Sequence, residues 1–436
     1  MAGSMPGLSA RALAAPQSGI VEVVNYARGR EGLIPLWVGE GDLPTPDFIS
    51  RAARDSLTAG ETFYTWQRGI PQLRQAIVRY YDRHFHKTLG IDNVFVTGSG
   101  MQSIKLSVEA VASPGDELLF LTPAWPNFAA SAELSGARAV GVPLSFTDGK
   151  WQLDLDRIAA AITPRTKAIF VNTPSNPTGW TATQSDLVAL LDLARRHGLW
   201  IIADEIYALY FYADARAPSF LDVMEDEDRI IFVNSFSKNW SMTGWRAGWI
   251  VAPAEIGQAL ENLIQYSTSG VAPFIQAGAC AALDHGDEFA RQNVVKATMS
   301  RDILCDALIA TNRVETLRPD GAIYAFLKID GITDVRAAAL DIVDRTLVGL
   351  APGTAFGQGG AGFMRACFLR DPLHIRTAAD RLASYIAALL PARPAPHPHG
   401  GGPAGELHRG PLIFDRIAPR STSHLTMTEV GRRCVR

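Results

Sequence analysis

The stretch at 235–253, which reads SFSKNWSMTGWRAGWIVAP, combines residue types that can do chemistry. Lys238 follows the apolar run at 230–233, so we expect it in a loop after a buried strand, where open α/β sheets form their sites. Aromatic and small neighbours can desolvate such a lysine, which lowers its pKa and leaves a free amine able to form a Schiff base. The hydroxyl of Ser235 and the guanidinium of Arg246 suit a phosphate group. By itself such a loop is more often a solvated sheet edge, so the assignment depends on the upstream sequence.

Two upstream loops and one strand end offer partners for this lysine. The segment TGSGMQ at 97–102 predicts a small-residue turn that opens a helix, whose free N–H groups and positive dipole end favour a phosphate. The segment NTPSNPTG at 172–179 has two prolines and a glycine, which predict a rigid loop presenting the amide of Asn176. Asp204 ends the apolar run at 199–203, and a carboxylate buried there is costly unless it pairs with a cation.

With DEIY at 204–207, these segments resemble the fold-type I, pyridoxal phosphate-dependent aminotransferases of class I and II, over roughly residues 18–392. The resemblance implies an α/β fold with a mostly parallel seven-stranded sheet sandwiched by helices and a smaller α+β domain. It implies a homodimer, pyridoxal 5'-phosphate as cofactor, and an amino acid and a 2-oxo acid as substrates. The expected reaction moves an amino group from an L-amino acid to a 2-oxo acid such as pyruvate or 2-oxoglutarate.

The resemblance also assigns roles to individual residues of this chain. Lys238 is expected to hold the cofactor as an internal aldimine and to move the substrate proton, while Asp204 keeps the ring nitrogen protonated. Tyr207 and Asn176 are expected to bond the 3-oxygen of the ring, and Trp125 to stack on it. The expected phosphate ligands are Ser99, Gly100, Met101, Ser235, Arg246 and the partner subunit's Tyr64. The expected substrate contacts are Gly39, Trp125, Asn176 and Arg365, with the arginine on the α-carboxylate.

These assignments require a particular domain order. The predicted divisions are an N-terminal arm with part of the small domain at 1–46, a large cofactor-binding domain at 47–286, a C-terminal small domain at 287–392 and a disordered tail at 393–436. The tail prediction rests on an abrupt change to RPAPHPHGGGPAG, a composition that cannot bury enough apolar surface to fold alone.

Composition argues against several kinds of partner. The 436 residues carry a formal net charge of -3 and a pI near 6.3, so nucleic acid is not expected. No apolar run is long enough to predict a membrane span. The four cysteines are far apart and lack metal-ligand spacing, which favours a reducing cytoplasm and no metal site. Small metabolites are the expected ligands.

Two other functions stay open on the sequence alone. One is a lyase or decarboxylase on the same fold, because the reaction type depends on which bond to the substrate Cα lies perpendicular to the cofactor ring. The other is a non-catalytic cofactor-binding domain of a transcription regulator, although no basic DNA-reading segment precedes residue 20.

The donor side chain is predicted from Met101, Trp37 and Trp66. Some aspartate-specific relatives have a lysine where Met101 stands, so a neutral or aromatic donor is favoured here. An aspartate aminotransferase is the alternative, and it would require another cation, such as Arg68, to reach the substrate.

Overall fold

The computed structural model describes residues 7–316 and 318–389, and the predicted tail at 393–436 lies outside them. The strands are β1 (Ile34–Pro35), β2 (Val94–Thr97), β3 (Glu117–Thr122), β4 (Arg138–Pro143), β5 (Ser145–Thr147), β6 (Lys150–Gln152), β7 (Thr166–Asn172), β8 (Trp200–Asp204), β9 (Ile230–Ser235), β10 (Gly248–Val251), β11 (Val314–Thr316), β12 (Tyr324–Ile329), β13 (Val348–Gly349), β14 (Ala351–Pro352) and β15 (Phe363–Cys367). The α-helices are α1 (Ala10–Ala14), α2 (Gly19–Ala27), α3 (Asp47–Thr58), α4 (Pro71–Phe85), α5 (Gly100–Val111), α6 (Asn127–Ser135), α7 (Leu155–Ala161), α8 (Gln184–His197), α9 (Gly257–Gln265), α10 (Pro273–His285), α11 (Asp287–Ile309), α12 (Val335–Thr346) and α13 (Pro372–Ala388).

A seven-stranded sheet in the order β2-β10-β9-β8-β7-β3-β4 forms the centre of the fold. Only β10 runs antiparallel to its two neighbours, and the other pairs are parallel. β8 and β9 are almost entirely buried, because their apolar residues are covered by helices on both faces, as parallel sheets require. The expected mostly parallel, seven-stranded α/β architecture is therefore confirmed.

The carboxyl ends of five strands lead directly into the predicted site loops. β2 leads into α5, β3 into the loop of Trp125, and β7 into the loop of Asn176. β8 ends at Asp204, and β9 ends three residues before Lys238. Because β7, β8 and β9 are adjacent and parallel, their last residues lie side by side at one edge of the sheet.

Local signals in the sequence explain where the connecting helices begin and end. Pro71 occupies the first turn of α4, where its missing N–H has no partner to lose. α8 begins with a capping box between Thr183 and Asp186 and ends at Gly198, whose φ of 65° closes the helix in the left-handed region. These ends fix the length of the helices that return the chain to the next strand.

A second sheet, in the order β11-β12-β15-β14, is antiparallel and carries two residues of the site. Tyr324 begins β12, and Arg365 is central in β15. The short strand β1 pairs with β13, which ties the N-terminal region to this part of the chain. The described residues up to 389 belong to one compact unit, so the domain boundaries at 46/47 and 286/287 stay predictions.

The described residues contain neither a membrane span nor a metal-binding cluster. None of their helices combines the length and apolar character needed to cross a membrane. None of their His, Cys, Asp and Glu side chains form a group of three or more that could hold a metal ion.

Candidate active site

A cavity of about 520 Å³ opens at the carboxyl ends of the central strands. The predicted site residues that line it are Gly39, Gly100, Met101, Trp125, Asn176, Asp204, Tyr207, Ser235, Lys238, Arg246 and Arg365. The structure thus brings together residues from the N-terminal loop, the central sheet and the second sheet. The separate motifs in the sequence indicated a shared site, and the structure shows these residues around one cavity.

Two predicted site residues do not line this cavity. The hydroxyl of Ser99 accepts a hydrogen bond from the Gln102 N–H at 3.0 Å, so this side chain caps the start of α5. Tyr64 is 94% exposed and lies away from the cavity of its own subunit. A role for Tyr64 at a cofactor phosphate therefore requires a second subunit.

Lys238 is half-buried and extends into the cavity. Its Nζ donates a hydrogen bond to the carbonyl oxygen of Gly39 at 2.6 Å. Burial lowers the pKa of the Lys238 ammonium from its usual 10.5 to about 8, although Cys367 and Glu40 act in the opposite direction. An appreciable fraction of the side chain is therefore a free amine at mildly alkaline pH, as a Schiff-base nucleophile requires.

Asp204, the last residue of β8, is only 4% exposed. Burial raises the pKa of its carboxyl from 3.8 to about 7, and the opposing influences are the Ile206 N–H, the Lys238 charge and Asn172. The Ile206 N–H donates to Asp204 Oδ1 at 3.3 Å. A carboxyl that is costly to ionise in this position would be stabilised as its anion by a cation entering the cavity, such as a protonated pyridine nitrogen.

The N-terminus of α5, the end of β9 and Arg246 border the cavity together. A Cβ on Gly100 would lie 3.2 Å from the Cβ of Ser235, so the glycine allows α5 to start close against β9. The hydroxyls of Ser235 and Ser237 are 2.9 Å apart, and Arg246 donates to the carbonyl oxygen of Thr243 at 2.6 Å. Helix N–H groups, hydroxyls and an exposed guanidinium are the donors that a phosphate accepts.

Arg365 is 3% exposed and is held by neutral groups. Its Nη1 donates to Asn176 Oδ1 at 2.9 Å and its Nη2 donates to the carbonyl oxygen of Trp37. The guanidinium carbon lies 4.5 Å from the ring centroid of Tyr324 and 4.7 Å from that of Phe356. Its Nε is buried without a hydrogen-bond partner. A buried guanidinium with an unused donor suits an anionic ligand such as a carboxylate.

The ring-contact residues predicted from the sequence are connected to one another. Because Asn176 Oδ1 accepts from Arg365, the amide Nδ2 is oriented as a donor toward other groups. The backbone N–H of Trp125 donates to the backbone carbonyl oxygen of Asn176 at 3.0 Å. The Tyr207 hydroxyl lies 2.7 Å from the hydroxyl of Tyr324. A planar ligand in this cavity would meet an indole, an amide and a phenol.

Several cavity residues were not predicted, and some predicted contacts are not made. Tyr324 and three residues of α2 line the cavity, although no motif marks them in the sequence, and Asn172 lines it from the segment at 172–179, where only Asn176 was given a role. Trp37 lines it as predicted, but Trp66 is 63% exposed and does not. The expectation that Trp66 contacts the substrate is therefore not met within a single chain. The α2 residues could have been found only from their spacing on one helix face.

Comparisons with known proteins agree with this geometry. A family model described as aminotransferase class I and II matches residues 31–382. The arginine–pyruvate transaminase AruH of Pseudomonas aeruginosa is 34% identical over 363 residues, which cover 83% of this chain and 91% of that protein. The aromatic-amino-acid aminotransferase 2 of Thermococcus litoralis is 30% identical, over 85% of this chain and 95% of that protein.

A solved structure gives the same result for the fold. The crystal structure of an aspartate aminotransferase from Thermotoga maritima has a TM-score of 0.82 to this chain at 30% identity, and the match covers 87% of this chain and 100% of that one. The family match spans both sheets and every predicted site residue. The chain therefore belongs to the class I and II aminotransferases, which depend on pyridoxal phosphate, and it is a transaminase.

Proposed function

We propose that this transaminase moves the amino group of a neutral or aromatic L-amino acid to a 2-oxo acid such as pyruvate or 2-oxoglutarate. The proposal rests on two features of the cavity. One buried arginine lies on one side, and an apolar surface on α2 faces the same space. Arg365 supplies donors for a single carboxylate. The apolar surface would contact the donor side chain.

The proposed roles follow from the side chains that line the cavity. Pyridoxal phosphate, when bound, supplies a carbonyl that condenses with primary amines and a ring that accepts electrons. The lowered pKa of Lys238 Nζ would allow it to act as a nucleophile, and the same amine would move the proton from the substrate Cα to the carbonyl carbon of the cofactor. Asp204 would stabilise a protonated ring nitrogen, and Asn176 and Tyr207 would donate to the ring 3-oxygen.

The residues at the phosphate end would act by hydrogen bonding. The N–H groups at the start of α5, including those of Gly100 and Met101, would donate to the phosphate. The hydroxyl of Ser235 and the guanidinium of Arg246 would add further donors. Ser99 would contribute by capping α5 and so holding the first turn of this helix in place.

The preference for a neutral donor rests on the apolar residues that face the cavity. Ile20, Val21 and Val24 lie on one side of α2, and Trp37 and Met101 line the same cavity. An apolar or aromatic side chain that contacts these residues would lose its exposure to water, which favours binding. A second carboxylate in the same place would be desolvated without a partner, at a cost of several kcal/mol.

Arg68, the cation that an acidic donor would need, is paired with other side chains. Arg68 Nε donates to Glu261 Oε2 at 2.7 Å, and the guanidinium carbon lies 5.3 Å from the ring centroid of Phe95. Arg68 is not among the residues that line the cavity. Among the lining residues, the cations are Lys238, Arg246 and Arg365, and each already has a proposed role.

The donor preference is tested by a screen of all common amino acids with pyruvate and 2-oxoglutarate as acceptors. We expect neutral or aromatic donors to have the highest kcat/KM, and Met101→Lys to raise kcat/KM for aspartate about tenfold by supplying the missing cation. Met299→Lys, a change on the exposed face of α11, is the control. Aspartate as the best wild-type donor by more than about tenfold, or about 1.4 kcal/mol, contradicts the proposal.

A basic donor is the second candidate. The carboxylate of Glu40 lines the cavity and accepts a hydrogen bond from Thr243 Oγ1 at 3.0 Å, and one relative is an arginine–pyruvate transaminase. Arginine as the best donor in the same screen, with a selective loss of arginine activity in Glu40→Gln, would favour this candidate over a neutral donor.

A homodimer is proposed from exposed aromatic residues. Phe63, Tyr64, Trp66 and Tyr266 are 81%, 94%, 63% and 89% exposed, and exposed aromatic surface of this kind supports the proposal of an interface. A surface cavity of about 360 Å³ lies between the segment at 62–65 and the segment at 268–273. A second copy of the chain would cover this surface, and its site would then receive the partner's Tyr64.

Mixed dimers test whether Tyr64 serves the neighbouring site. Tyr64→Phe is expected to weaken cofactor affinity about tenfold, because it removes one hydrogen bond to a charged group. When Tyr64→Phe and Lys238→Ala subunits are mixed, a hybrid dimer has one site with both native residues. Wild-type-like cofactor affinity at that site supports the arrangement. The arrangement would be overturned if sedimentation showed an active monomer. It would also be overturned if the mixtures bound the cofactor no more tightly than Tyr64→Phe alone.

We also propose a cytoplasmic location. In the part of the chain that the structure describes, Cys280, Cys305 and Cys367 are all free. Burial raises the pKa of each thiol, which keeps all three in the unreactive protonated form. Free thiols of this kind are typical of a reducing compartment.

A further inference from the structure

Tyr324 contacts three parts of the site, although no sequence motif marks it. It is 1% exposed, and its hydroxyl lies 2.7 Å from the Tyr207 hydroxyl. Its ring centroid is 4.5 Å from the guanidinium carbon of Arg365. A Cβ added to Gly39 would overlap the Tyr324 hydroxyl, so the loop that accepts the Lys238 hydrogen bond packs directly against this oxygen.

We infer that Tyr324 is a positioning residue, which aims the Tyr207 hydroxyl at the cofactor and supports Arg365 at the substrate carboxylate. The inference rests on the roles proposed above for Tyr207 and Arg365. It goes beyond them because it assigns a function to a side chain that would touch neither the reacting atoms nor the α-carboxylate. One residue would then link the cofactor side of the cavity to its substrate side.

The effect of Tyr324 on Tyr207 follows from the direction of the hydrogen bond between the two phenols. Each neutral phenol has one proton to donate. If Tyr207 donates to the ring 3-oxygen, the 2.7 Å contact can be filled only by Tyr324 donating to Tyr207. A hydroxyl that accepts one hydrogen bond donates a stronger one, so Tyr324 would both orient the Tyr207 proton and strengthen its donation.

The charge state of the pair supports this direction. Burial raises the pKa of Tyr207 and of Tyr324 well above 10, so both phenols keep their protons over the working pH range. The other charged or titratable side chains that act on the pair are Asp204, Arg365 and Cys367. Among these three, Arg365 is the cation. Its charge lowers the pKa of both phenols, but burial raises the pKa by more.

The effect of Tyr324 on Arg365 follows from the contact of its ring with the guanidinium. The Arg365 guanidinium is close to this ring and to the ring of Phe356, and both contacts hold its plane without neutralising its charge. Tyr324→Phe therefore removes the hydroxyl and keeps the ring, whereas Tyr324→Leu removes both. The two variants separate the effect on Tyr207 from the effect on Arg365.

The first measurement is the pH midpoint of the visible absorption band of the holoenzyme. A donor to the ring 3-oxygen stabilises negative charge there, so the nitrogen that joins Lys238 to the cofactor loses its proton more easily and the midpoint is lower. Tyr324→Phe should weaken that donor and raise the midpoint by about half a pH unit, which corresponds to part of one hydrogen bond. Its KM values should change by less than about threefold, because the ring beside Arg365 remains.

The second measurement uses Tyr324→Leu and a double variant. Tyr324→Leu should raise the midpoint similarly and also raise KM for both the amino acid and the oxo acid, by roughly fivefold or more. In a Tyr207→Phe background, Tyr324→Phe should leave the midpoint where Tyr207→Phe alone places it, since its effect passes through Tyr207. Tyr385→Phe, which deletes a partly buried hydroxyl that donates to Asp341 at 2.8 Å outside the cavity, should change neither quantity.

The outcomes separate this inference from the proposed function. If Tyr207→Phe shifts the midpoint and Tyr324→Phe does not, the inference is wrong and the role of Tyr207 stands. If Tyr207→Phe itself leaves the midpoint unchanged, the proposed role of Tyr207 fails and the inference fails with it. Thermal unfolding of each variant checks the fold, and a shared loss of stability in Tyr324→Phe and Tyr385→Phe without a spectral change would show a structural role only.

Discussion

Lys238→Ala is expected to lower kcat by about 10⁴-fold or more, because one change removes both the nucleophilic amine and the group that moves the Cα proton. Among the residues that line the cavity, Lys238 is the one lysine. Asp204 has a raised pKa but is held at the end of β8, and Tyr207 is hydrogen-bonded to another phenol. Neither carries an amine that could replace the covalent bond to the cofactor.

The visible spectrum of the purified protein measures this prediction directly. Wild-type protein should be yellow, and Lys238→Ala should lack the visible band when no amine is added. Lys167→Ala, at the opposite end of β7 from the loop of Asn176, removes a partly exposed lysine that does not line the cavity and should keep both colour and activity. An unchanged visible band in Lys238→Ala would show that another amine binds the cofactor and would refute the assignment.

The strands that carry the site were predictable because their sequences are continuous and apolar. β7, β8 and β9 are buried runs that end in Asn172, Asp204 and Ser235, and a polar residue at the end of such a run marks the edge of a sheet. β4, the outermost strand of the same sheet, was not predicted. Its sequence, RAVGVP, contains a glycine and a proline and is mostly not buried, so neither periodicity nor composition distinguishes it from a loop.

The site was predictable where a residue belongs to a local motif, and not where it arrives from a distant strand. Asn176 and Lys238 lie in segments whose neighbours define them. Tyr324 lines the cavity only because β12 brings it against Tyr207, a relation between two positions 117 residues apart in sequence. Ser99 shows a different limit, since the sequence places it correctly at the start of α5 but cannot tell a phosphate ligand from a helix cap.

Arg365→Leu is expected to raise KM for the amino acid and for the oxo acid together and to lower kcat/KM for both by about 10²- to 10³-fold, the effect of losing two charge-assisted hydrogen bonds. Both half-reactions would lose the same group, because each substrate presents an α-carboxylate to the same guanidinium. We expect an effect of this size for two reasons. The Nε of Arg365 has no hydrogen-bond partner, and within the described residues its other hydrogen bonds go to neutral groups and not to a carboxylate. Leucine keeps apolar contact with the two aromatic rings, so cofactor binding and the visible band should change little.

Steady-state kinetics with each substrate varied in turn measure the effect of Arg365→Leu, and Arg301→Leu is the matched control. Arg301 lies 4.3 Å from the ring centroid of Tyr212 and donates to the carbonyl oxygen of Pro319 at 3.1 Å, so its loss removes a similar stacked arginine outside the cavity. Arg365→Leu also leaves Asn176 Oδ1 without its donor, at a cost of about 1–3 kcal/mol in the free energy of unfolding, and thermal unfolding of both variants separates that loss from the kinetic effect. If KM for both substrates stays at the wild-type value, the carboxylate is bound by another cation of the cavity, and Arg246 would be the next residue to change.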